Sequence, residues 1–318
     1  MGVRITGRSF PTPDLVKTVN NPAAWDQLGG FAEVQAAEAA AALGVLEERL
    51  ASAGSRDERV AGFEAAYRHV AEWRYQVALQ GQWTRPHASA DDVRATIGEG
   101  HMRYRLSPSA GNREPGTPAW KLLSELEAVA LERMGRDHRM QNVVTLRGGE
   151  TVNGNRLVFL AAPRDPATGG PYLGSPDQVV TETADQADCE VLRRASFDAL
   201  AELEEARAAG AADPRDPEQR RTFTDAAYFL VQGPEFKRGS DAIMRTFLVA
   251  AHARVFDAAP VLPQAIDLDG MVRGQDGFHR VMNEQLRLAP APAEQAAATT
   301  TERAPQPRTA HRPNGLTR

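Results

Sequence analysis

The sequence predicts a mainly α protein with one small β element. Three observations carry this. Segments rich in Ala, Leu and Glu, with apolar residues three and four positions apart, recur along most of the chain. A stretch of β-branched and large apolar residues over 142–162 holds two tight-turn pairs, Gly148-Gly149 and Asn153-Gly154. One segment, opening near residue 240, is apolar on nearly every side, as a helix at the centre of a bundle is.

Residues 1–30 carry Pro11, Pro13, Pro22 and Gly29-Gly30 with little periodicity, and are expected to be irregular. A single helical domain is expected over 31–288. Its first helix runs from Phe31 to Leu50. The second, Asp57 to Gln80, places Phe63, Tyr67, Val70, Trp73, Arg74 and Val77 on one buried face. Ser89 with Asp91 and Asp92 starts a third. Thr117-Pro118 opens a fourth, because proline suits the first turn, where its missing N–H costs nothing. A hairpin follows near 142–162, turning at either Asn153-Gly154 or Gly148-Gly149. Helices resume over Asp185–Ala209 and again after Asp216, with Pro217 in the first turn. The last runs from about Leu268 to Leu286. The tail, 289–318, is Pro-, Ala- and Thr-rich, and buries too little apolar surface to offset its ordering entropy.

Hydrophobic residues make up 42% of the 318 residues, enough for a sizeable core. No apolar run approaches the roughly 20 residues of a membrane span. Met1–Pro13 lacks a signal-peptide layout, so the cytoplasm is the expected compartment. Met1-Gly2 through Thr6 fits the loose myristoylation pattern, a match common by chance. Net charge is −5, from 37 basic and 42 acidic residues, which argues against general nucleic-acid binding through a positive field. Cys189 is the sole cysteine, so neither an intrachain disulfide nor a cysteine zinc cage can form. The spacing of the seven histidines suggests no metal site either. His101, Arg103 and Arg105, with Arg113 nearby, form a basic cluster that reads either as solvated surface or as the wall of an anion site.

The stretch Gly233 to Arg245 carries the functional expectation. Ser240 is a good N-cap residue for the helix that follows. Gly239 permits a tight turn and close approach of a ligand to the main chain. The first amides of such a helix lack internal partners and favour an anion. Lys237 and Arg238 precede it and add charge. Asp241, Arg245 and His252 lie four and seven residues apart, on one face of a helix otherwise apolar. Two readings stand. In one, Lys237, Arg238, Gly239, Ser240 and Arg245 bind phosphate, with Phe236 and His252 lining the site and Asp241 as the candidate catalytic group. In the other, Asp241 and Arg245 form an intrahelical ion pair and His252 bonds a backbone carbonyl.

This stretch resembles the Fido superfamily motif of Fic and Doc proteins, H-P-F-x-x-G-N-G-R-x-x-R, over roughly 216–285. Phe236, Gly239 and Arg245 match it. Pro234 stands at the His position, Ser240 replaces Asn, Asp241 replaces the second Gly, and Ala242 replaces the first Arg. The resemblance implies a helical bundle around a buried central helix and a nucleotide or other phosphate-bearing ligand. It further implies magnesium as that ligand's companion, and a protein target docked on the 142–162 hairpin. It implies transfer of a nucleotidyl or phosphoryl-type group to a hydroxyl. Loss of the motif His removes a general base, worth roughly 10²–10⁴-fold in rate. A non-catalytic Fido-like binding protein is the second expectation, and an interaction protein whose Gly-Ser turn is purely structural is the third.

Overall fold

In the computed structural model, which describes residues 3–20, 22–80, 90–108, 113–164, 166, 169 and 176–289, helix α7 (Ser240–Phe256) is the axis of the molecule. Of its 17 residues all are buried except Asp241, Ala242 and Arg254, which are half-buried. An all-round apolar helix has no solvent face, so neighbours must surround it. They are α1 (Pro22–Leu50), α2 (Arg56–Leu79), α5 (Gln186–Ala208) and α6 (Pro217–Gln232). Phe247 sits at the crossing, edge-on to Tyr67 of α2 at 5.6 Å and to Phe197 of α5 at 5.9 Å. The fold is thus mainly helical, with eight α-helices among the described residues and a small antiparallel sheet.

Polar residues set the helix ends as the sequence requires. Ser55 and Glu58 form a reciprocal capping box on α2. Thr117 caps α4 (Pro118–Met134), Asp185 caps α5 and Asp216 caps α6. The expected start of α1 at Phe31 is too late. The helix begins at Pro22, whose ring suits a first turn, and runs 29 residues through Gly29-Gly30. Two glycines cost about 1 kcal/mol each against alanine, which a helix of this length packed on α2 and α7 absorbs. Residues 3–20 are not irregular throughout but hold two 3-10 turns, Gly7–Ser9 and Asp14–Val16, with Phe10 buried. Of the expected tail, 289–318, all but Ala289 lies outside the described residues.

The hairpin is half of a larger sheet. Strands β1 (Met102–Arg105), β2 (Arg139–Thr145), β3 (Thr151–Leu160) and β4 (Gln178–Glu182) lie in the order β1-β4-β3-β2, all antiparallel. Gly148-Gly149 makes the turn, with Gly149 at φ 89° and its amide bonded to Leu146 O at 2.9 Å. Asn153-Gly154 does not turn but lies inside β3. Its glycine serves close packing instead. A Cβ on Gly154 would collide with Gln232 Oε1 and stand 3.0 Å from Val144 Cγ2. Gln232 is itself committed, accepting from Asn155 N at 2.8 Å and donating to Gly270 O at 2.8 Å. Gly154→Ala must displace that buried amide, and is expected to cost about 1–3 kcal/mol in urea unfolding. An unchanged midpoint would show that Gln232 does not tie sheet to helices.

A second apolar cluster lies under the sheet, where Leu157 and Val179 meet Leu123 and Leu126 of α4 and Leu268 and Val272 of α8 (Ile266–Gln285). No helix among the described residues is long and apolar enough to cross a membrane.

Candidate functional site: a basic cleft beside the mouth of the central helix

The segment joining α6 to α7 is held by an edge-to-edge clasp. Ile97 N donates to Glu235 O at 2.9 Å and Lys237 N to Ala95 O at 3.0 Å, around a bridge between Thr96 and Phe236. Residues 95–97 lead directly into His101 and β1, whose start is pinned to β4. His101 N donates to Thr183 Oγ1 at 3.1 Å, and Thr183 N to His101 O at 3.1 Å. The clasp therefore brings the two basic clusters of the sequence together.

Between them lies a cleft of about 820 Å³, within the range typical of small-molecule sites. Arg103, Arg105, Arg113, Lys237 and Arg238 line it with His101, against one carboxylate among the described residues, Asp92. In a chain of net charge −5, this is a local reversal of sign. Leu15, Met102 and Tyr104 supply apolar surface. Four consecutive residues of β1 share this wall, although a regular strand alternates its faces. The register of β1 on β4 slips between Met102 and Tyr104, and such a bulge re-aims side chains. Arg103 Nη1 donates to Phe236 O at 3.3 Å, fixing the clasp from the cleft side. Arg238 Nε donates to Asp92 at 3.2 Å. Burial, then the neighbouring Arg103, Lys237 and Arg238, push the His101 imidazole below its ordinary range, so it stays neutral at pH 7.

The mouth of α7 departs from the expected cap. Gly239, not Ser240, is the N-cap residue, in the left-handed region at φ 78° and ψ −7°. Ser240 is the first helical residue and turns its hydroxyl back, donating to Phe236 O at 2.7 Å. Its oxygen is thereby spent on closing the loop. Gly239 faces protein: a Cβ there would stand 3.1 Å from Arg74 Cγ and 3.4 Å from Val93 Cγ1. Positive φ and Arg74 both demand glycine.

Arg245 does not project from the helix mouth. Its guanidinium donates to Asp241 at 2.6 Å, Asp267 at 3.0 Å, Pro263 O at 3.1 Å and Gln264 O at 2.8 Å. Four of its five N–H donors are thus held by protein. Tyr104, on the cleft wall, donates its hydroxyl to Asp267, so the cluster backs onto the cleft through one side chain. Two carboxylates share this guanidinium. Burial and Asp267 push the Asp241 carboxyl up against the pull of Arg245.

The structure does not bring His252 to the cleft. It is buried beside Phe223 and Phe256, and its Nδ1 lies 2.6 Å from Ala258 O. Burial depresses its pKa to about 4. The unfolded chain takes up a proton near pH 6.5 that the native state refuses until about pH 4. The stabilisation is therefore full above pH 6.5 and lost as pH falls through that window, by about 3 kcal/mol in all. His252→Gln is expected to flatten the fall in stability between pH 6.5 and 4, followed by urea unfolding at each pH. An unaltered slope would place the acid sensitivity elsewhere.

Arg74 of α2 is a residue that the sequence reading placed on a buried face without assigning it a role. It is 8% exposed, and among the described residues its Nε and Nη1 are buried without a hydrogen-bond partner. Its apolar neighbours in the helical pattern concealed it; an arginine in a buried register is itself the signal.

No group of three or more His, Cys, Asp or Glu residues among those described is placed to hold a metal ion. No family model matches the chain, and no curated protein matches it.

Proposed function

We propose that this protein binds a phosphate-bearing small molecule in the basic cleft, a nucleotide on the strength of the Fido resemblance. The observation that carries this is the convergence of Arg103, Arg105, Arg113, Lys237 and Arg238 on one concavity with a single opposing carboxylate. Lys237 and Arg105 are exposed and Arg103 is half-buried. Phosphate oxygens accept charge-assisted bonds from such groups, and Leu15, Met102 and Tyr104 offer a face for a base. Asp92 is the only carboxylate lining the cleft among the described residues, and it pairs with Arg238. A magnesium ion would thus arrive on the ligand's phosphates rather than on a protein cage.

Group transfer to a hydroxyl is the finer reading, and His101 favours it over mere binding. Pro234 stands where the motif has its base, yet a neutral imidazole lines the same cleft. The acceptor hydroxyl would give its proton to His101 as its oxygen bonds to phosphorus and the bond to the leaving phosphate breaks. In this reading an acceptor protein docks along β2, an edge strand carrying exposed Val143.

A thermal-shift series with ATP, GTP and sugar nucleotides, with and without magnesium, tests the binding. A ligand bound by the native state alone raises Tm, by more at higher concentration. The proposal expects at least one nucleotide to do so at millimolar concentration. No shift with any member would remove it.

A further inference from the structure

A second concavity, of about 740 Å³, opens between α6 and α8. Its chemistry differs from that of the cleft. Pro217 is the one apolar residue in its lining among those described, so it offers no face for a nucleotide base. Arg220, Arg221 and Thr224 share one side of α6, and His279 and Asn283, four apart, share one side of α8. Arg215 completes the wall from the segment before α6. None of the three arginines has a carboxylate partner among the described residues, and Arg220 reaches only Asn283 O, at 3.5 Å. The two carboxylates on the same wall are committed elsewhere. Asp216 caps α6 through Gln219 N at 2.9 Å, and Glu218 accepts from Arg147 at 3.3 Å.

His279 adds an acceptor to this cationic wall. Its Nε2 lies 2.9 Å from Oδ1 of Asp225, which is 5% exposed, and Oδ2 of that carboxylate accepts from Arg147 at 3.2 Å. A carboxylate can only accept, so Nε2 carries the proton. Asp225 is absent from the lining, so it holds the ring from behind while His279 forms part of the wall. A neutral ring held this way has its lone pair on Nδ1, which has no partner among the described residues. The exposed amide of Asn283, one turn along, can both donate and accept.

We infer that this concavity is a separate site for a small phosphate ester of a polyol. Arg215 and Arg221 take the phosphate, and His279 Nδ1 accepts a hydrogen bond from a ligand hydroxyl. A bare anion would answer the arginines but leave the lone pair of His279 unused. The inference does not rest on the nucleotide reading of the cleft.

The test uses the full chain with glycerol 3-phosphate, glucose 6-phosphate and inorganic phosphate, followed by thermal shift and titration calorimetry. At about 1–20 mM, of the order at which a weak site fills, at least one ester is expected to raise Tm. It should bind about fivefold tighter than inorganic phosphate, as one added neutral hydrogen bond gives. Arg215→Met/Arg221→Met changes two exposed side chains and should abolish the ester response without moving the Tm of the free protein. His279→Gln keeps a donor for Asp225 and removes the Nδ1 acceptor. It should bring the ester down to the affinity of inorganic phosphate and leave the latter as it was, whereas a purely structural histidine would lower Tm and leave that ratio alone. Arg105→Met/Lys237→Met should lose the ATP response and keep the ester response, so the two sites fail separately. No response to either ester, an ester that binds no tighter than inorganic phosphate, or an ester response that survives Arg215→Met/Arg221→Met overturns the inference.

Discussion

Arg245→Met is expected to cost about 3–5 kcal/mol, the largest effect of any single change in the cluster behind the cleft. The guanidinium holds Asp241 and Asp267 apart and also satisfies Pro263 O and Gln264 O. Methionine fills the stem but leaves two carboxylates facing each other under Tyr104. Asp241, already pushed up in the wild type, then loses the opposing pull of Arg245 and rises further. A carboxyl with a raised native pKa binds more protons folded than unfolded, so stability must increase as pH falls. The variant should therefore regain more stability between pH 7 and 5 than the wild type does. Adding Asp267→Asn should recover part of the loss at pH 7. Urea unfolding across that pH range measures all three. A loss under 1 kcal/mol with no pH signature would mean that the cluster is solvated and carries no burial cost.

Arg105→Met/Lys237→Met is expected to weaken nucleotide binding about a hundredfold or more while leaving the Tm of the free protein unchanged. Both side chains are exposed, so their removal touches no core contact. Each charge-assisted hydrogen bond to a phosphate is worth about 1.5–3 kcal/mol, and two lost together give at least two powers of ten in Kd. The wild type should also bind more weakly as salt rises, because exposed charges are screened over about 8–10 Å at 0.1–0.15 M. Titration calorimetry with ATP at two ionic strengths reads both effects. Equal affinity in variant and wild type would move the ligand elsewhere.

Much of the helical frame was legible because local chemistry decides it. The Asp216-Pro217 entry of α6, the 63–77 face of α2 and the all-apolar α7 all follow from capping preference and a 3.6-residue period. The start of α7 was harder. Gly239 and Ser240 are both acceptable N-caps, and only the positive φ beside Arg74 separates them. β1 was hidden because its four residues, Met102–Arg105, are too short a run for their alternation to signal a strand. The ion pair of Asp241 with Arg245 could be read from a four-residue spacing, but the second carboxylate, Asp267, lies 22 residues on and came from tertiary packing. For the same reason the two basic clusters were each visible alone. Their union across the Ala95–Lys237 clasp rests on hydrogen bonds between segments about 140 residues apart in sequence.

Photo-crosslinking with 8-azido-ATP, followed by mass spectrometric mapping, locates the ligand most directly. Modified peptides are expected to contain Leu15, residues 101–105 or residues 236–238, with protection by excess ATP. The molecule has a competing basic concavity, lined by Arg215, Arg220, Arg221 and His279 between α6 and α8. Specific labelling there, with none on the cleft peptides, would show that the nucleotide does not bind in the cleft.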